Sequence, residues 1–354
     1  MKKIISVVLA MLILATFAGC GNEGTPADTT ANTTANTTAN TTADTTADNT
    51  VVEPETLKFG YGIDVKYGEV ISADGEVNGS GEVVANFATV LVDGEGKIVK
   101  CEIDTADFTV EYTSAGEAVA SGEFLTKYEL GYDYNMKAYG GSALEWFEQA
   151  DAFEQVCVGK TIDEVKALLV DGYKGNDEVV AAGCTIGIAE FVTAVEKAVN
   201  NAVDSTATAD STLGIGVVSS ADVVNATEDA EGSVELEINV AFAATDADSK
   251  VVAMFTDVIS VAFGFTAKGE ATTDAAAAIA TKYELGEAYG MKAYGGAAKE
   301  WFEQADAFNA ECLGKTADEI AALVVEGKGN DDLQTAGCTI YIGSVASAAV
   351  KAAQ

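Results

Sequence analysis

Two threonines and four cysteines carry the chemistry open to this chain. Thr185 follows Gly183-Cys184, Thr339 follows Gly337-Cys338, and each triplet has a cysteine upstream, Cys157 or Cys312. Cys101 is different, because Met254 stands at its counterpart. In an exported chain, two cysteines kept together in both copies of a repeat read as one disulfide per copy, Cys157–Cys184 and Cys312–Cys338. Closing a loop of about 26 residues stabilises by about 3 kcal/mol in the chain-entropy model. The other reading is four buried thiols that pack as small hydrophobes. A metal site is disfavoured by the wide spacing.

What is absent narrows the chemistry further. The chain has no histidine, and all 20 basic residues are lysine. There is then no Ser-His-Asp or Cys-His machinery, no His-ligated zinc and no c-type haem attachment. Without arginine there is no bidentate clamp for a phosphate or carboxylate. Any reaction at this protein calls for a cofactor that brings the chemistry with it.

The elements around these residues follow from periodicity. Trp146, Ala150, Phe153 and Cys157 share one helix face, and Trp301, Ala305, Phe308 and Cys312 repeat the spacing. Thr161 with Glu164, and Thr316 with Glu319, form capping boxes that open short helices. Residues 190–199 and 345–353 read as a last helix after each threonine. Ahead of the helices come strands. Residues 57–63 and 213–217 each carry a Gly-x-Gly whose simplest reason is close backbone packing. Residues 83–92 and 98–103 flank Asp93-Gly-Glu-Gly96 as a hairpin, and residues 108–112 supply a further strand. Residues 234–243, 251–258 and 260–265 repeat the order.

The repeat fixes the architecture. Thr126-Lys-Tyr-Glu-Leu-Gly131 and Glu145-Trp-Phe-Glu-Gln149 recur 155 residues later at Thr281 and Glu300. The expected fold class is α+β, two tandem homologous domains of an antiparallel β-meander followed by helices. The domains run over 57–203 and 211–354, with 204–210 as a polar linker. Residues 1–19 read as a signal peptide, with Lys2 and Lys3 before an apolar run. Phe17-Ala-Gly-Cys20 looks like a bacterial lipobox, making Cys20 the lipidated residue and the lipid the membrane contact. Residues 20–56 then form a Thr/Ala/Asn-rich stalk without apolar periodicity. A formal net charge of −36 excludes nucleic acid as a partner. The expected address is the extracytoplasmic face of the cell membrane.

Ala-Gly-Cys-Thr185-Ile and Ala-Gly-Cys-Thr339-Ile, each ahead of an amphipathic helix, resemble the Ser-Gly-Ala-Thr signature of the FMN-binding domain family. Gly96-Lys-Ile-Val-Lys-Cys-Glu-Ile103 is similar to that family's strand preceding the site. The resemblance implies FMN esterified through its phosphate to Thr185 and Thr339 by a flavin transferase, with Gly183, Cys184, Gly337 and Cys338 around it. It also implies redox partner proteins. A covalent phosphodiester dispenses with an arginine clamp, and the following helix turns its positive end toward the phosphate. Tyr139 and Tyr294, or Trp146 and Trp301, are candidates to stack on the flavin ring, although the tryptophans at helical spacing also suit a core. The pattern departs from the family at the cysteine, at the preceding alanine, and at Asp177 and Asp332, which lie too far upstream.

Three functions remain open on this reading. The first is a flavin-based electron-transfer relay on the cell surface, an electron carrier rather than an enzyme with catalytic residues of its own. The second is a non-enzymatic ligand-binding lipoprotein that shares the fold without flavin. The third is a structural or adhesive spacer.

Overall fold

β-Branched and aromatic residues build six long strands in two antiparallel meanders. In the first, β1 (Lys58–Ile71), β2 (Gly79–Val92) and β3 (Ile98–Tyr112) pair in chain order. In the second, β4 (Thr212–Val224), β5 (Gly232–Thr245) and β6 (Val251–Phe265) do the same. The structure, a computed structural model, describes residues 55–119 and 122–354. The signal sequence, Cys20 and nearly all of the stalk lie outside the described residues. Among the described residues, no helix is long and apolar enough to cross a membrane.

Helices follow each meander: α1 (Lys127–Leu130), α2 (Met136–Gly140), α3 (Trp146–Cys157), α4 (Ile162–Lys166), α5 (Asp177–Ala182) and α6 (Ala189–Asn200). The second series is α7 (Lys282–Leu285), α8 (Met291–Gly295), α9 (Trp301–Cys312), α10 (Ala317–Ala321), α11 (Asp331–Ala336) and α12 (Gly343–Ala352). The fold is mixed α+β with antiparallel sheets. Both capping boxes expected at Thr161 and Thr316 form, and four more occur at Thr126, Glu145, Thr281 and Glu300.

Two strand boundaries differ from the sequence reading. Residues 98–103 and 108–112 belong to one strand, β3, and residues 251–258 and 260–265 to another, β6. The intervening polar residues suggest a break, but Asp104 and Asp257 are satisfied inside the ladder. Asp104 Oδ1 accepts from Thr105 N–H at 2.7 Å and Tyr128 N–H at 3.1 Å. Asp257 Oδ1 accepts from Val258 and Tyr283 N–H at 2.7 and 3.0 Å. A paired buried carboxylate does not interrupt a strand.

The layers are helices, sheet, sheet, helices. Along β2, Val83, Ala85, Phe87 and Leu91 face the second sheet, whereas Ala88, Val90 and Val92 face α3 and α6. β5 alternates likewise, with Leu236, Ile238, Val240 and Phe242 inward and Ala241 and Ala243 toward α9 and α12. Strands covered on both faces read as nearly unbroken apolar runs. Between the sheets Tyr61 stacks on Phe255 with centroids 3.3 Å apart, and Tyr112 on Phe265 at 4.5 Å. One core is therefore shared by both meanders, within the compact unit Val52–Gln354. Within residues 204–210, Ala207 alone is packed into it: Ala207 is fully buried, and its carbonyl accepts from Leu57 N–H at 2.8 Å.

The Gly-x-Gly pairs let helix meet strand. A Cβ on Gly60 or Gly62 would fall on the carbonyl oxygen of Ala198 or Ala194 in α6. Gly214 and Gly216 stand in the same relation to Ala352 and Ala348 in α12.

Candidate functional site

Thr185 lies in the turn between α5 and α6. Gly183 ends α5 in a left-handed conformation, φ 114°, which a residue with a Cβ rarely adopts. The chain then turns inward to bury Cys184 and outward to expose Thr185. Gly337, at φ 110°, buries Cys338 and exposes Thr339 in the same way after α11. Neither threonine caps a helix or sits in a strand.

One buried amide holds each threonine. Thr185 N–H and Oγ–H both donate to Gln149 Oε1, at 2.8 and 2.9 Å. Thr339 N–H and Oγ–H donate to Gln304 Oε1 at 2.9 and 3.0 Å. Gln149 is fully buried on α3, and its Nε2 donates to Ser142 Oγ at 2.9 Å and Leu144 O at 3.2 Å. Gln304 Nε2 donates to Lys299 O at 3.2 Å. The Glu-Trp-Phe-Glu-Gln repeat thus has a role that helical spacing alone did not reveal. Its first glutamate, Glu145 or Glu300, is buried and accepts from backbone N–H groups of α2 or α8. Its glutamine orients the hydroxyl. The signal for this lay in the retention of both residues at fixed distance from the threonine.

Beside Thr185 lies a cleft of about 310 Å³ to which Ile186 and Gly187 contribute. That volume is at the lower end of what small-molecule sites use. Tyr134, Trp146, Tyr173 and Phe191 form its aromatic walls. Asn86 lines it as well, is 3% exposed, and has no partner for its Nδ2. Its Oδ1 accepts from Thr105 Oγ–H at 2.8 Å, so the amide is oriented with the donor left over. A buried donor without a partner costs about 1–3 kcal/mol, and a ligand acceptor would relieve it.

Two ion pairs flank the cleft. Lys66 bonds Glu190, and Lys127 Nζ lies 2.8 Å from Asp107 and 5.2 Å from the Tyr134 ring centre. Burial alone would raise the Glu190 carboxyl, but the Lys66 ammonium holds it below its ordinary value. Burial would likewise lower the Lys127 ammonium, but the Asp107 carboxylate holds it above. The Glu190 carboxylate and the Lys127 ammonium are therefore charged at neutral pH.

The second half lacks this cleft chemistry. Asn239, the counterpart of Asn86, donates through Nδ2 to Val218 O at 3.2 Å. Tyr341 occupies the position of Gly187, and Ser344 that of Glu190.

The remaining candidates separate into core and surface. Trp146 and Trp301 are buried, at 3% and 5% exposure, although the edge of Trp146 reaches the cleft. Tyr139 and Tyr294 are 89% and 91% exposed, and Tyr139 does not line the cleft. Asp177 and Asp332 sit exposed in the first turns of α5 and α11. Cys157, Cys184, Cys312 and Cys338 are free, buried thiols, so neither expected pair is bonded in the structure. Burial pushes the Cys184 and Cys338 thiols up to about 11, leaving them neutral.

A group of acids that the sequence reading passed over lies under α3. Burial raises Glu154 to about 9 and Glu102 and Asp104 to about 7 each, and neighbouring carboxylates add to the effect on Glu154 and Glu102. Among the described residues, no cluster of acids and cysteines has the arrangement of a metal site.

No family model matches the chain, and no solved structure matches it. A chlorophenol reductase of Desulfitobacterium hafniense is 34% identical over 96 residues, which cover 23% of this chain and 29% of that protein. The match thus spans less than a third of that relative's length.

Proposed function

We propose that the protein is a lipid-anchored extracytoplasmic lipoprotein of two FMN-binding-like domains, acting as an electron-transfer relay with flavin on Thr185. The observation that carries this reading is the exposed Thr185 hydroxyl, held by a buried glutamine beside an aromatic cleft with an unpartnered Asn86 donor. Reciprocal contacts support the tandem arrangement. Ala73 N–H donates to Gly269 O and Ala226 N–H to Gly116 O, both at 2.8 Å. Lys197 pairs with Glu284, and Lys351 with Glu129.

The residues near Thr185 fit an FMN group. Gln149 fixes the hydroxyl, the aromatic walls suit a planar ring, and Asn86 Nδ2 suits a ring carbonyl. Bound flavin would supply electron transfer, and the protein would hold it in place and exclude water from one face. Thr339 presents the same hydroxyl, but the residues beside it lack the open donor. The proposal therefore makes Thr185 the better acceptor and Thr339 its weaker counterpart. The stretch shared with a chlorophenol reductase is too short to name a redox partner.

The second reading, a surface lipoprotein without flavin that binds a ligand or serves structurally, draws on the Asn239–Val218 bond and the departures flanking both threonines. Co-expression with an exported flavin transferase, followed by intact-mass measurement, separates the two. Addition of one FMN mass, lost in Thr185→Ala, supports the relay; an unmodified mass with active transferase leaves the second reading.

A further inference from the structure

The thiol that faces Cys157 is not the one that sequence spacing pairs with it. α3 packs antiparallel along β3, and two hydrogen bonds fix their register. Ile103 N–H donates to Glu154 Oε1 at 2.7 Å, and Gly159 N–H donates to Ile98 O at 2.7 Å. Cys101 lies between the β3 ends of these bonds and Cys157 between their helix-side ends. The two side chains lie inside the same apolar cluster, and the nearby Cys157 thiol together with burial raises the Cys101 thiol well above its ordinary value. Cys184 shares the cluster, but it sits in the turn after α5, outside the α3–β3 register that sets Cys101 against Cys157.

The second half provides an internal contrast. Gly314 N–H donates to Val251 O at 2.8 Å, and Thr256 Oγ–H to Asn309 Oδ1 at 2.8 Å, so α9 lies on β6 in the same register. Met254 stands where Cys101 would be. Cys312 therefore faces a thioether, and the counterpart of a Cys101–Cys157 bond cannot form there.

We propose that Cys101 and Cys157 form a disulfide that staples α3 to β3 in the first half only. The oxidant is a disulfide, either glutathione disulfide or that of an exported thiol oxidase. Cys101, 9% exposed against 0% for Cys157, is the entry point. During refolding, before the cluster closes and burial raises its thiol, the Cys101 thiolate attacks the oxidant, forming a mixed disulfide and releasing one thiolate. Cys157, having lost its proton, then attacks the Cys101 sulfur, forms the internal S–S bond and releases the second thiolate. Two electrons pass to the oxidant and two protons leave the cysteines. The staple would tie the strand to the helix that carries Gln149, and so to the support of Thr185.

The test uses the full chain, refolded in a glutathione redox buffer, alkylated and cut with trypsin. Cleavage after lysine places Cys101 in peptide 101–127, Cys157 in 138–160 and Cys184 in 175–197. Linkage of 101–127 to 138–160, with loss of two hydrogens, is expected. Linkage of 138–160 to 175–197, or alkylation of all three cysteines, overturns the proposal. Cys101→Met copies the second half and keeps the core filled. Reductant should lower the Tm of the native chain by about 5–10 °C and leave that of Cys101→Met unchanged. Equal sensitivity in both would also overturn it. Neither readout depends on flavin, so failure here and failure of the relay are distinguishable.

Discussion

The backbone N–H and the hydroxyl of Thr185 converge on a single oxygen, Gln149 Oε1. An exposed threonine in a turn would ordinarily sample several rotamers. Here the hydroxyl proton is committed to a buried acceptor, and the oxygen lone pairs are left facing solvent. Gln149 is itself fixed by Ser142 and Leu144, so the constraint originates in α3 rather than in the turn. Such preorganisation is what a covalent attachment point requires.

Gln149→Met keeps the side-chain volume and removes the acceptor. The variant should be destabilised by about 1–2 kcal/mol in urea unfolding, because Thr185 N–H can turn to water. On the relay reading, flavin addition at Thr185 should fall about tenfold or more while the folded fraction is unchanged. Equal flavin addition in native chain and variant would show that orientation of the hydroxyl is irrelevant.

The shared core predicts joint unfolding. Trp146 and Trp301 are the two tryptophans of the chain, and each is buried under its own helical layer. Trp146→Phe and Trp301→Phe leave one reporter in each half. Their fluorescence transitions in urea should coincide, since Phe87, Phe242 and Phe255 belong to one cluster between the sheets. Phe242→Ala should move both by the same amount, about 3–5 kcal/mol. Separated midpoints would mean that the halves are independent.

Much of this fold was legible because the sequence repeat places the long strands and the helices twice. The Trp146 and Trp301 helix faces, the capping boxes at Thr161 and Thr316 and the close approach at the Gly-x-Gly pairs follow from local rules. The sheet-to-sheet core does not. Val83 to Val92 is apolar on both faces, and that pattern says the strand is covered without saying by what. The site was legible in part. Glycine at positive φ and a flanking cysteine mark the turn at Thr185, but Gln149 lies 36 residues away and is tied to it only by the docking of α3 against that turn. Asn86 could not be singled out, because its unpartnered donor depends on how β2 meets its neighbours.

Stability should depend on pH through Glu154. Burial first, and then Glu102, raises its carboxyl to about 9, whereas an unfolded glutamate titrates near about 4.3. Between those values the native chain holds a proton that the unfolded chain has released. Stability is therefore full below the unfolded value and falls as pH rises toward the folded one. Glu154→Gln keeps an acceptor for Ile103 N–H and removes the titration. Urea midpoints at pH 5.5 and 8.5 should differ less in the variant. Part of the drop below about pH 7 should persist, because Asp104 and Asp257 are raised to about 7 as well. Parallel profiles would place the Glu154 carboxylate in contact with water.

The docking of α6 on β1 offers the sharpest steric test. A Cβ on Gly62 would fall on Ala194 O and crowd Ala198 N, both backbone atoms that cannot rotate aside. Gly62→Ala should therefore cost about 2–4 kcal/mol in urea unfolding, although alanine suits most strands better than glycine. Gly94→Ala, in the open turn between β2 and β3, serves as the control and should change little. The effect should also reach the site. α6 begins at Ala189, one residue past the Gly187-Ile188 segment, and its Glu190 and Phe191 border the cleft. Lifting α6 from β1 would draw Lys197 away from Ile63 O and Glu284, and draw Phe191 away from Trp146, whose rings meet edge to face at 5.8 Å. Gly62→Ala should then weaken whatever the cleft holds beside Thr185. Gly216→Ala, which meets Ala348 in the second half, should destabilise to a similar degree and leave that cleft unchanged.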